Sequence, residues 1–313
     1  MLEYKNYYKW VNCGSSSWRK DPELVGEVVL QNEFSDEDLR DLTRKLDDFL
    51  LLVSWAEGAS CALLQIVVQA DNYTEEIYRL DRGIPEVSKQ HSFHNFLVDY
   101  QDISEFLSHA WKLWDKWEHK GLVRTALLAN GNSGDFTMEA EFLRLFSSVE
   151  TLLLVYRMEN SKEFIIQDRS NLNVLKREIK KVIKSQAQLS AEDIGLLCEN
   201  IGGINRVSLK HAFQIMVRDK GLQTSDLWPF YDTAGVYSLT KIRNSLVHGY
   251  GMRDELYDSF AVAIDNIRHY YNRVVIALFR WEFKRTRIPY PVSPSEIKKW
   301  QQAAAKFTSI ESK

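Results

Sequence analysis

The stretch KIRNSLVHGYG, Lys241 to Gly251, places a guanidinium, a carboxamide and an imidazole within six positions: Arg243, Asn244 and His248. On a helix Asn244 and His248 are four apart and share a face, while Arg243 lies about 140° around the axis from His248, a gap that an arginine spans by curling back. Leu246 and Val247 anchor the same turn. These groups suit cleavage of an RNA phosphodiester without metal. That reaction removes a proton from the ribose 2'-OH, gives one to the departing 5'-oxygen, and accumulates negative charge on the phosphoryl oxygens. Histidine exchanges protons near neutrality. Arginine offers the oxygens a forked, permanent cation, and asparagine orients hydroxyl or phosphate. One histidine is half of an acid–base pair, so the scheme requires a second copy of the chain to complete the site across a two-fold axis.

The bare spacing is not selective. Arg206 to His211, RVSLKH, repeats it, but without a polar residue after the arginine and with Lys210 before the histidine. Lys241 and Arg253 flank the motif as further cations for RNA. KREIKKVIK sets Lys176, Arg177, Lys180, Lys181 and Lys184 on one helix, suited to phosphate contacts, with a solvated face as the alternative. Glu150, amid FSSVETLLL, is either a surface residue or a semi-buried carboxylate that needs a partner, for which Arg243 is the candidate. Asp254 and Glu255 open the helix after the motif and read as dipole complements, with metal binding or a grip on Arg243 as alternatives. His91 and His94 are i,i+3 without a third ligand. Phosphate-loop, dinucleotide, nucleophile-elbow and HExxH patterns are absent from the sequence, so neither cofactor nor metal is expected.

Positioning this chemistry takes a core, and 313 residues with 45% apolar content can build one. The net charge of -3 hides a split: residues 1–140 hold 14 Lys+Arg against 24 Asp+Glu (-10), and residues 141–313 hold 26 against 19 (+7). A polyanion would therefore meet the second part. No apolar run is long enough to span a bilayer and the start, MLEYKNYYKW, is charged and aromatic, so the expected location is the cytoplasm. Cys13, Cys61 and Cys198 are odd in number and scattered, which reads as unpaired packing thiols.

In the acidic part, ELVGEVVLQN and ASCALLQIVVQA read as strands. Between them a helix begins at the N-cap Ser35, carries Leu39, Leu42, Leu46, Phe49 and Leu50 on one face, and ends near Gly58. A helical pattern resumes near Asp102, broken at Gly121, with Trp111, Trp114 and Trp117 as a packing seam. ANGNSGD, Ala129 to Asp135, reads as a boundary. Beyond it everything is helical: Phe142, Leu145, Phe146, Val149, Leu152, Leu153 and Tyr156 line one helix, shorter helices follow with Ser190 as a cap, and Leu256, Phe260, Ile264, Ile267, Tyr271, Val274, Leu278 and Trp281 form one long stripe that wants a bundle around it. Pro289, Pro291 and Pro294 end the regular structure and leave a short C-terminal amphipathic piece. The fold class expected is mainly α, with an acidic α+β module at 1–135 that senses or restrains, a helical bundle at 136–288, and a tail at 289–313.

Arg-Asn-x3-His, set after several helices and before one long amphipathic helix, resembles the HEPN superfamily, and FLRLFSSVETLLLVYR is similar to that bundle's early helix. The resemblance covers roughly residues 139–285. LDDFLLLVSWAEGAS running into a strand is similar to the region before the HEPN domain in ApeA-like anti-phage proteins, although the N-terminal part here is shorter. The resemblance implies Arg243 and His248 as catalytic, Asn244 as the supporting polar residue, and Glu150 as partner of the arginine. It implies a metal-independent endoribonuclease that acts as a homodimer on tRNA or other RNA, in abortive infection or as a toxin. The rival expectations are a bundle that binds RNA, a nucleotide or a protein without cleavage, and a structural adaptor.

Overall fold

A computed structural model describes residues 5–12, 18–25, 35–58, 61, 65–70, 73–78, 97–131, 136–233 and 235–311. Among them the chain is mainly helical, with ten α-helices and four short strands. The strands pair as two separate antiparallel hairpins, β1 (Lys5–Asn12) with β2 (Trp18–Val25) and β3 (Gln65–Ala70) with β4 (Tyr73–Tyr78). The expected strands at Glu23–Asn32 and Ala59–Ala70 overlap β2 and β3, and residues 26–34 and 62–64 lie outside the described residues, as do Cys13, His91 and His94.

Helix α1 (Asp36–Glu57) starts on a capping box between Ser35 and Asp38 and stops at Gly58, whose φ of 63° is the left-handed region that glycine enters without steric cost. Its second half is apolar nearly all round, so it needs covering on several sides. It packs against α2 (Ile103–Trp114) and α3 (Lys120–Gly131), both in the helical part of the molecule. The α+β layer expected of residues 1–135 is thus replaced, among the described residues, by a helix that joins the helical core and two small hairpins. The tryptophan seam does the joining. Trp114 donates to Asp48 of α1 (3.2 Å), Trp111 meets Phe49 edge-on, and Trp117 packs on Phe279 with centroids 5.0 Å apart. The break between α2 and α3 falls at Asp115–His119, and Gly121 lies inside the first turn of α3.

Helices α4 (Met138–Glu159) and α9 (Tyr257–Leu278) form the centre of the bundle. All seven apolar residues expected on the inner face of α4 are buried, as are all eight of the α9 stripe. In α9, 16 of 22 residues are buried, which makes it a core helix rather than a surface one. One hydrophobic cluster runs from Phe49 to Phe307 and does not divide at residue 135, because α3 packs along α4. The stretch expected as a tail is α10 (Pro294–Glu311), which lies on α9 and buries Trp300, Ala303, Ala304 and Phe307. The prolines end α9's segment and then start a new helix, proline being tolerated in a first turn.

A buried ion pair fastens this end. Arg273 of α9 donates to both oxygens of Asp226 at 2.7 Å and to the carbonyls of Gln223 and Pro289, while Asp226 accepts from the Val292 N–H. Burial works to raise the Asp226 carboxyl, and the bonds from Arg273 and Val292 outweigh it, holding the group below its ordinary range.

Candidate nuclease site

The motif occupies α8 (Leu239–Val247). Ser238 caps its start, accepting from the Lys241 N–H and donating to Asp232 (2.5 Å), while the N–H groups of Leu239 and Thr240 donate to the carbonyls of Pro229 and Phe230. The loop 229–232 therefore cradles one end of the helix. Leu239 and Ile242 bury its inner face; of the two residues expected to anchor the turn, Leu246 is partly buried and Val247 is 53% exposed.

The other end is set by Gly249. The Gly249 N–H donates to Leu246 O (3.1 Å) and the Tyr250 N–H to Ser245 O (3.1 Å), a Schellman closure in which Gly249 adopts φ 81°. His248 is the C-cap residue of this closure and is exposed. The glycine that follows the histidine is thus what stops the helix and leaves the imidazole at its tip.

Arg243 is half-buried and points to α4, where its Nη2 lies 3.7 Å from Glu150 Oε2; its Nη1 donates to Asn244 Oδ1 at 3.2 Å. The structure thus brings Arg243, Asn244 and Glu150 together, with Glu150 as the semi-buried carboxylate. Burial pushes the Glu150 carboxyl up, and the Arg243 charge pulls the other way without cancelling it. At 3.7 Å the pair is an ionic contact rather than a hydrogen bond. Asp254 and Glu255 instead open a 3-10 turn before α9. Sequence reasoning missed Tyr231: its phenol is raised by burial and by Glu150, and its buried hydroxyl has no hydrogen-bond partner. Only its place in the cap-forming loop, seven residues before Ser238, would have signalled it.

The second match to the spacing comes apart in three dimensions. Arg206 is extended and bridges Phe164, whereas His211 stands in the first turn of α7 (Leu209–Lys220), whose cap Ser208 accepts from the His211 N–H. The helix begins between the two residues.

Lys241 is exposed, with its ammonium 5.7 Å from the Tyr237 ring, and Arg253 is exposed before the 3-10 turn. Lys180, Lys181 and Lys184 lie on α5 (Arg169–Lys184), which packs against α6 (Ala191–Asn200) and the turn Ile201–Asn205. Lys181 pairs with Glu178 at 3.0 Å, and Lys180 lines an open hollow of about 330 Å³ with Lys176, Cys198 and Gly202. Among the described residues no His/Cys/Asp/Glu group is arranged to hold a metal, and no helix is long and apolar enough to cross a membrane. Cys61 and Cys198 are thiols outside any disulfide among the described residues, that of Cys61 pushed up to about 12 chiefly by burial. Comparison with protein-family models, with curated proteins and with solved structures finds no match to this chain.

Proposed function

We propose that this protein is a metal-independent endoribonuclease of the HEPN kind, with RNA, tRNA above all, as its substrate. The observation that carries the reading is α8 itself: Arg243 held between Asn244 and Glu150, and His248 exposed at the tip of the same helix. In this scheme His248 exchanges the 2'-OH and 5'-oxygen protons with its counterpart from a second copy. Arg243 leaves Glu150 for the phosphoryl oxygens, and Asn244 orients the linkage. The cations Lys241, Arg253, Lys180, Lys181 and Lys184 hold the RNA backbone. The acidic N-terminal part regulates, and the setting is cytoplasmic anti-phage defence.

The test is purified protein incubated with total tRNA in EDTA. Cleavage should leave 2',3'-cyclic phosphate or 3'-phosphate ends, and Arg243→Ala and His248→Ala should each slow it at least about 10²-fold with helicity and mass unchanged. Tyr250 is exposed beside the imidazole and offers a base a ring to stack on, which favours a second reading, a bundle that binds RNA without cutting it. Binding with intact RNA ends would establish that reading and end the first.

A further inference from the structure

Helices α4, α7 and α9 end close together, and all three stop in the same way. After α4 the N–H groups of Ser161 and Lys162 donate to the carbonyls of Met158 and Arg157; after α7 those of Gly221 and Leu222 donate to Arg218 and Val217; after α9 those of Arg280 and Trp281 donate to Ala277 and Ile276. Each is a Schellman closure, whose pivot residue takes a left-handed backbone. Glycine fills the pivot after α7 at φ 61°, but Ser161 (φ 53°) and Arg280 (φ 56°) fill the other two. An arginine in that position carries a steric cost that glycine does not.

The closures gather four cations around one carboxylate. Tyr156, in the last turn of α4, donates to Asp219 Oδ2 at 2.7 Å; Lys162 pairs with the same oxygen, and Arg218 lies 3.3 Å from the other. Asp219 is therefore engaged by three donors already. The ammonium groups of Lys162 and Lys220 stand 5.6 and 6.0 Å from the centre of the Tyr156 ring. Among the described residues the side chains of Lys220 and Arg280 make no hydrogen bond or ion pair. Burial, and after it the Arg280 charge, hold the half-buried Lys220 below the usual ammonium range; Lys162 adds to this and Asp219 opposes it. Cations at helix ends ordinarily complement the dipole, each end counting as about half a negative charge. Three ends offset about 1.5 of the three positive charges left over here, so half of the excess has no counterpart.

We infer that Lys162, Arg218, Lys220 and Arg280 form a phosphate-binding site, separate from the motif on α8. A phosphate group supplies the negative charge and the several acceptor oxygens that these cations lack. Arg218 and Arg280 offer forked donors from the exposed rim, and Lys220 offers three N–H donors with no other acceptor to take them. A left-handed arginine beside an ammonium crowded by like charges is a cost to the free protein, and a bound anion offsets it. Asp219 does not compete, because Tyr156 and Lys162 tie it down on the inner side. The phosphate belongs either to an RNA backbone or to a small phosphorylated ligand, and the chemistry of capture is the same for both. Tyr156 lies six residues beyond Glu150, about 9 Å along α4, within reach of an RNA strand laid on α8. The site does not depend on that RNA being cut.

The experiment titrates the full chain with pyrophosphate by calorimetry and thermal melts, against sodium chloride of equal ionic strength. The wild type should bind pyrophosphate and melt higher in it. Lys220→Gln and Arg280→Gly should each weaken that binding at least about tenfold, while Arg177→Gln, on α5, should leave it unchanged. Without ligand, Arg280→Gly should melt about 1–3 °C above the wild type, since the strain and a crowding charge leave together. No binding beyond the chloride control, unchanged binding in either variant, or an unliganded Arg280→Gly that melts lower overturns the inference, the last by showing the arginine to be a helix cap. The source of the phosphate is read with a short RNA methylated at every 2'-oxygen, which 2'-OH attack cannot cut. Competition with pyrophosphate, lost in Arg280→Gly, assigns the site to the RNA backbone; RNA indifferent to both assigns it to a small phosphorylated ligand. Either result upholds the phosphate site, and pyrophosphate binding by a protein that leaves tRNA intact in EDTA removes the nuclease reading alone.

Discussion

Two arginine–carboxylate pairs in this molecule have the same chemistry and opposite designs. Arg273 and Asp226 are 1% and 3% exposed, joined by two 2.7 Å bonds, and the carbonyls of Gln223 and Pro289 and the Val292 N–H are recruited to them, with Arg273 Nε left without a partner among the described residues. Arg243 and Glu150 are 35% and 25% exposed and stand 3.7 Å apart. In the first arrangement, removing one partner would leave a bare charge inside the protein. The second is open to solvent and loosely held. Burial and spacing, more than residue type, separate a fastening from an open contact.

The contrast can be broken most directly at the buried pair. Arg273→Ala should cost about 3–5 kcal/mol, because Asp226 is left charged and enclosed, and denaturant melts should show the loss as a fall in midpoint. Next in size is chemistry: Arg243→Ala should lower the rate of tRNA cleavage about 10²–10³-fold, the cost of removing one donor to a developing oxyanion, as gel assays of RNA ends would reveal. Gly249→Ala forces a side chain into a φ of 81° and should cost about 1–2 kcal/mol. Nothing crowds the added carbon, so the loss would report the closure that sets His248, and cleavage should drop with it.

A smaller effect should appear with pH. Burial, and after it the Arg273 charge, hold the half-buried His269 below its usual range against the pull of Glu296, Asp265 and Asp226. The unfolded chain then takes up this proton first as pH falls. Stability should be full above about pH 6.5, decline below it, and level off once the folded imidazole is charged as well. Thermal melts from pH 8 to 5 should show this slope, and His269→Gln should remove it. Asp226 is likewise held below its ordinary range, so its stabilisation is complete above about pH 3.9 and fails only in stronger acid. Smallest of all, Arg243→Ala should change stability by less than about 1 kcal/mol. A larger loss would make that pair a fastening too and erase the contrast.

Features set by neighbours along the chain were legible in the sequence. The stripes of α4 and α9, the caps Ser35 and Ser190, and the stop at Gly58 all depend on residues within a turn or two, and the structure has them where the spacing predicts. The motif's own helix was legible for the same reason. What escaped notice was pairing over distance. Arg273 sits in the apolar run YYNRVVIAL, and a lone cation there signals a buried partner, but nothing local points to Asp226, 47 residues away. The short amphipathic piece expected after the prolines is α10, an 18-residue helix, because prolines mark an end and a beginning equally well. The partner of Arg243 was signalled by the apolar run around Glu150 and by family resemblance, whereas Tyr231 carried no pattern at all.

The tryptophan seam bears on how such a molecule could be controlled. Leu52, Trp55 and Ala56 of α1 share one interior with α4 and α9, and Val98 bridges Thr286 while Arg285 grips Asp102 and Glu105. The acidic segment is thus a wall of the same room, not a hinged cover over a separate one. Cutting the chain after residue 96 would strip that wall and open the interior to solvent. Through α3 that wall also leans on α4, the helix that holds Glu150.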